Sequence, residues 1–104
     1  MSVTGAVLIC DDDAAIRTVV TQALRRAGHR VTAAASLTDL KREMRSAMPD
    51  VVVTDVVLPD GNGLDLVATL TGEYPDLPVI VLSAQITLAT AVRATEAGAF
   101  DYLP

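Results

Sequence analysis

The sequence predicts an α/β domain: a doubly wound, five-stranded parallel sheet with helices on both faces. Three observations predict it. Short apolar runs alternate with segments whose apolar residues recur at helical spacing, in the order βαβαβαβαβ; that alternation implies parallel strands joined by right-handed crossovers. The run Val51-Val52-Val53-Thr54 is β-branched throughout, as suits a strand covered on both faces. Finally, 104 residues fit one domain, and an apolar content of 51% supplies its core.

The first strand is Ala6–Cys10 (AVLIC). Ile16, Val19, Val20, Ala23, Leu24 and Ala27 then follow at i, i+3, i+4, i+7, i+8 and i+11, one stripe of a helix, with Gly28 placed to end it. A weaker strand covers about Arg30–Ala34. Ser36 and Asp39 have the capping-box spacing, and Leu37, Leu40 and Met44 continue a second helical stripe. Pro49-Asp50 introduces the third strand, and Asp55–Gly63 reads as a loop. Leu66, Val67 and Leu70 mark a third helix, and Pro78 introduces a fourth strand over Val79–Leu82. Leu88, Ala91, Val92 and Thr95 give a fourth helix ending near Gly98, and Phe100–Leu103 is a fifth strand. A doubly wound sheet wants a helix after its last strand, yet the sequence stops at Pro104. Such a helix is then supplied from elsewhere, or apolar sheet surface stays uncovered.

Composition excludes several function classes. Thirteen acids against 8 bases give a net charge of −5, whereas a nucleic-acid binder carries a basic patch. Apolar runs of about five residues fall far short of the ~20 that a membrane helix needs. The amino terminus lacks a basic segment followed by an apolar stretch, so no export signal is expected. The single cysteine, Cys10, excludes an internal disulfide framework and suits a reducing cytosol. A cytoplasmic single domain is therefore expected.

In open parallel sheets, functional residues gather at the carboxyl ends of the strands. Here the first strand ends in Asp11, Asp12 and Asp13, the third in Asp55 and the fourth in Ser83, while the fifth carries Tyr102 near its end. With the first and third strands adjacent, at least three carboxylates converge. Two like charges 4 Å apart repel by roughly 1 kcal/mol in water and ~4 kcal/mol at an effective dielectric of 20, so the cluster raises its own pKa values unless a cation compensates. Hard oxygen ligands in small number suit Mg²⁺, and the implied chemistry is phosphoryl transfer, with one carboxylate as nucleophile.

Simpler readings stand beside this one. Asp13 fits a helix N-cap, and Asp11 with Asp12 could merely favour the positive end of the first helix. Asp55 could be a turn residue, and Ser83 could bond local backbone. His29 reads as a solvated loop residue and Cys10 as a small buried hydrophobe. Two other site types fit poorly. A flavin or nucleotide site would place Gly, Ser or Thr after the first strand to cradle phosphate. A haloacid-dehalogenase-type phosphatase would need a second acid two residues after its nucleophile, where this sequence has Val57.

Three segments resemble the receiver domain of two-component response regulators: Leu8-Ile9-Cys10-Asp11-Asp12-Asp13, Val52-Val53-Thr54-Asp55-Val56-Val57-Leu58-Pro59-Asp60-Gly61-Asn62-Gly63, and Val79-Ile80-Val81-Leu82-Ser83-Ala84. The resemblance runs from about Val7 to the last residue. Gly98-Ala99-Phe100-Asp101-Tyr102-Leu103-Pro104 is similar to the ending of regulators that activate sigma-54 RNA polymerase. Ser83-Ala84-Gln85 and Asp11-Asp12-Asp13-Ala14-Ala15-Ile16-Arg17 resemble the nitrogen regulatory protein C subgroup most.

The resemblance implies a flavodoxin-like strand order of 2-1-3-4-5. It implies that Asp55 accepts phosphate from a sensor histidine kinase, that Asp12 binds Mg²⁺ directly and Asp11 mainly through water, and that the Val57 backbone carbonyl is a further ligand. Ser83 would hydrogen-bond the phosphoryl group, and Tyr102 would change rotamer with it, reshaping the face of the fourth helix and fifth strand. That face would control oligomerisation of an output domain in nitrogen-regulated transcription. Output ATPase and DNA-binding domains, a homodimer and no turnover enzyme activity are further implications. One departure stands out: the family places a Lys after Tyr-Leu-Pro, and this sequence ends at Pro104. Residues 1–104 therefore read as one receiver domain truncated before its final helix, with exposed sheet beside the fifth strand inviting dimerisation. The competing class is a receiver-like binding and dimerisation module that is never phosphorylated.

Overall fold

In the computed structural model, residues 5–55, 57–82, 98 and 101–103 are described, with backbone alone for 57 and 101–103. Five strands form one parallel sheet: β1 (Ala6–Cys10), β2 (Arg30–Ala34), β3 (Val51–Asp55), β6 (Val79–Leu82) and β7 (Asp101–Leu103), in the order β2-β1-β3-β6-β7. This is the expected order 2-1-3-4-5 of the five main strands. Three helices connect them: α1 (Ala14–Arg26), α2 (Leu37–Ser46) and α3 (Gly63–Glu73). The fourth helix expected from Leu88 to Thr95 lies outside the described residues, as does Ser83.

One expectation is corrected. The stretch read as a plain loop contains a second, antiparallel sheet of two short strands, β4 (Val57–Leu58) and β5 (Gly61–Asn62), with Pro59 and Asp60 at the turn. Two-residue strands are too short to show any alternation of apolar and polar residues, which is the signal by which strands are read.

Side chains of the central strands alternate between two cores, as the pleat requires. Leu8, Cys10, Val52, Val79 and Val81 join Leu40 and Met44 of α2 and Leu64, Leu66, Val67 and Leu70 of α3 in the larger core. Val7, Ile9 and Val53 point to the other face, where Val20 and Leu24 of α1 pack on them together with half-buried Ile80 and Leu82. The helical stripe assigned to α1 is only partly used: none of its residues is fully buried, and Ile16 and Val19 remain 37% and 65% exposed. Spacing fixes which side of a helix turns inward, not how much sheet lies beneath it.

The ends of α1 follow local chemistry closely. Asp13 caps its start, its Oδ1 accepting from Ala15 N–H at 2.8 Å and Ile16 N–H at 3.2 Å. At its end Gly28 adopts φ +95°, with Gly28 N–H on Arg25 O at 3.0 Å and His29 N–H on Leu24 O at 3.1 Å, the bond pair of a Schellman motif. Gly28→Ala is expected to cost about 1–2 kcal/mol, since a Cβ is penalised in that left-handed region. A lowered urea midpoint with unchanged slope would show it.

His29 is not the solvated residue expected. The turn at Gly28 brings it back against the sheet, where it is half-buried and its Nδ1 accepts from Gly5 N–H at 3.2 Å. The capping box at α2 forms by half. Ser36 Oγ accepts from Asp39 N–H at 3.2 Å, whereas the Asp39 carboxylate pairs with Arg42 at 2.8 Å.

Candidate functional site

β1 and β3 are neighbours, and their register pairs Cys10 with Thr54. One residue further along, Asp11 and Asp55 stand level at the carboxyl edge of the sheet. Asp11, Asp12 and Asp55 each bring a carboxylate oxygen within 4.8 Å of the other two. Asp11 is buried, Asp12 exposed and Asp55 half-buried, so the cluster opens to solvent on one side.

Asp11 is the most constrained of the three. Its N–H donates to Ala34 O at 3.1 Å, its carbonyl accepts from Arg17 Nη1 at 2.7 Å, and its Oδ1 accepts from Asp13 N–H at 2.9 Å. Burial raises the Asp11 pKa above the usual carboxylate value; the Asp13 N–H offsets part of this, and the charges of Asp55, Asp12 and Asp13 push it further up. A buried carboxylate facing two others is a charge distribution that a divalent cation relieves. Three hard oxygen donors suit a hard cation. Soft-metal binding is unsupported: the Cys10 Sγ is 3.4 Å from Ser36 O, and burial foremost pushes its thiol pKa up to about 12.

The other expected site residues fall as follows. Asp13 stands apart as the α1 cap. Val57 lies two residues beyond Asp55, its backbone paired with Asn62 across the hairpin. Tyr102 lies on β7 opposite Val81 in register, and Ser83 falls outside the described residues. Sequence reasoning passed over Thr54, Asn62 and Asp60. Thr54 is fully buried, and its Oγ1 is 3.1 Å from the Asp55 carbonyl. Asn62 caps α3 by accepting from Leu64 N–H at 2.7 Å; an Asn just before a helical stripe is a signal that could have found it. Asp60 binds the start of α2. A groove of about 440 Å³, lined by Met48, Pro49, Tyr74 and Leu77 among others, is at the opposite edge of the sheet.

Comparison with known proteins agrees with this geometry. Residues 7–104 match the family described as "Response regulator receiver domain". A DNA-binding transcriptional regulator NtrC of Azospirillum brasilense is 53% identical over 100 residues, covering 96% of this chain. This chain spans only 21% of that relative's length. Among solved structures, NtrX from Brucella abortus superposes with a TM-score of 0.91 at 28% identity, covering 97% of this chain and 24% of that one. A structure titled "BeF3 Activated DrrB Receiver Domain" gives 0.89 at 28% identity, covering 97% and 84%. The acids at the ends of β1 and β3, the 2-1-3-4-5 order and the match over nearly the whole sequence lead to one conclusion: this chain belongs to the response regulator receiver domain family, and its sequence resembles the receivers of NtrC-type regulators.

Proposed function

We propose that this chain is the phosphoacceptor domain of a two-component transcriptional regulator, with Asp55 as the acceptor. The observation that carries the reading is the convergence of Asp11, Asp12 and Asp55 within 4.8 Å, with the buried Asp11 raised in pKa. The phosphoryl donor is a phosphohistidine of a sensor histidine kinase. An Asp55 carboxylate oxygen attacks phosphorus, the new P–O bond forms as the P–N bond breaks, and the electron pair returns to the imidazole nitrogen. Asp55 is thus a substrate group in a domain that assists its own phosphorylation and dephosphorylation, with no turnover of a small molecule.

Mg²⁺ is the cofactor of this reading: Asp12, Asp55 and the Val57 backbone carbonyl would hold it directly, and Asp11 mainly through water. When bound, it neutralises charge on the carboxylates and on the phosphoryl oxygens. The chain's own residues do the positioning. Asp11 is fixed by three backbone-linked hydrogen bonds, and the sheet register sets Asp55 beside it. The Ser83 hydroxyl would then donate a hydrogen bond to a phosphoryl oxygen, and Tyr102 would follow by changing rotamer. The added charge of about −1.5 to −2 biases this two-state element. Dimerisation of the domain, control of ATPase and DNA-binding output domains, nitrogen-regulated transcription and a cytoplasmic location complete the proposal. The relatives named DNA-binding transcriptional regulator NtrC support the transcriptional role among these points.

The test is intact mass after incubation with acetyl phosphate, with and without Mg²⁺. A Mg²⁺-dependent phosphate adduct is expected. Bound Mg²⁺ with no adduct, both in this chain and in one extended through the family's Lys and final helix, would overturn the phosphoacceptor reading in favour of a receiver-like binding module.

A further inference from the structure

The tip of the β4–β5 hairpin is fastened to the first turn of α2. The Asp60 carboxylate accepts from Leu37 N–H at 2.8 Å, from Thr38 N–H at 3.0 Å and from the Thr38 hydroxyl at 2.7 Å. These partners lie 22 and 23 residues away in sequence. α2 already has its own cap in Ser36, and exposed N–H groups at a helix start are readily satisfied by water. The bonds from Asp60 therefore matter more to the hairpin than to the helix. Beside Asp60, Gly61 passes so close to α2 that a Cβ there would collide with Leu37 Cδ1.

The same turn of α2 also meets the other limb of the acidic cluster. Ser36 O lies 3.4 Å from the Sγ of Cys10, the residue immediately before Asp11. One turn of helix thus touches both the end of β1 and the segment that follows Asp55. The hairpin begins at Val57, and Val57 is paired with Asn62 across it. Where the tip is held decides where the Val57 backbone sits.

We propose that Asp60 is a positioning residue for the metal of the acidic cluster: by anchoring the hairpin tip to the first turn of α2, it fixes the Val57 backbone relative to Asp11 and Asp12. The inference rests on the proposed Mg²⁺ site and adds a residue to its support. Asp60 touches no reactant; it acts through the hairpin.

The experiment is Mg²⁺ titration of the chain followed by calorimetry, at a temperature where circular dichroism shows each variant folded. Asp60→Ala is expected to weaken Mg²⁺ affinity roughly tenfold, the low end of what groups that orient metal ligands contribute. Asp60→Asn, which keeps one acceptor oxygen, should fall between Asp60→Ala and wild type, and Thr38→Val should show a smaller loss. Acetyl-phosphate adduct formation should recover at saturating Mg²⁺, a split that general destabilisation would not produce. If Asp60→Ala does not fold, Asp60→Asn and Thr38→Val carry the test, and both must weaken binding. Affinity unchanged in the folded variants would overturn the role of Asp60 alone. A wild-type chain that binds no Mg²⁺ would overturn the metal site itself.

Discussion

Asp55→Asn is expected to abolish the phosphate adduct while leaving the fold intact. The substitution preserves size and shape at the end of β3, where Asp55 is half-buried. An amide oxygen is a far poorer nucleophile than a carboxylate and forms no acyl phosphate, so the loss should reach background. The variant also discriminates among the three acids. Asp11 and Asp12 remain in place, within 4.8 Å of the substituted side chain's position, and either could in principle be modified. An adduct that persists in Asp55→Asn would move the acceptor to one of them. Intact mass measured on wild type and variant side by side, with and without Mg²⁺, reads all of these outcomes.

Asp11→Asn should produce two large effects of opposite sign. Asp11 has a folded pKa above its unfolded value, so at pH values between the two the folded chain holds a proton that the unfolded chain has released. Stability therefore falls as pH rises through that window, beginning near the ordinary value of 3.8, and stays reduced at neutral pH. Asn removes the charge while its Oδ1 still accepts from Asp13 N–H. Each like-charge contact near 4 Å is worth roughly 1 kcal/mol in water, so a gain of about 1–2 kcal/mol is expected at pH 7 without metal. For a domain of this size that corresponds to a rise in Tm on the order of 5 °C. With Mg²⁺ present the ranking should reverse. A chain that binds Mg²⁺ gains ~2.7 kcal/mol at a concentration of 100 Kd, whereas loss of Asp11, which would hold the metal mainly through water, should weaken affinity by up to the ~100-fold of an outer partner. Melting curves of both chains, with and without Mg²⁺, should therefore cross. Equal response to Mg²⁺ would remove Asp11 from the metal site.

What the sequence showed depended on how local each cause was. Val51-Val52-Val53 announces a buried strand by residue type alone, and the structure has β3 there. Asp11 and Asp55 could be paired from their positions at two strand ends, because parallel sheets align those ends. Gly28 and Asp13 were legible as helix punctuation because capping needs only a few neighbouring residues. His29 was misread because its partner, Gly5, is 24 residues away. The Asp60 anchor was invisible for the same reason: it depends on how two crossovers stack on one face of the sheet. Exposure of Ile16 and Val19 was hidden because it depends on what covers the sheet, and periodicity carries no information about that. The roles assigned to Ser83 and to the fourth helix concern residues outside those described.

The carboxyl edge of the sheet has one more consequence. Asp11 and Asp55 meet one residue past the last rung of the β1–β3 ladder, Cys10 with Thr54. A slip of β3 by a single position would send its side chains to the opposite face and carry Asp55 out of line with Asp11. Under the proposed function, a mispaired chain could then neither gather its cation nor accept a phosphoryl group. On that reading folding errors of this kind would be silent: a misassembled copy would transmit nothing, and fidelity of the signal would be inspected by the same alignment that builds the core.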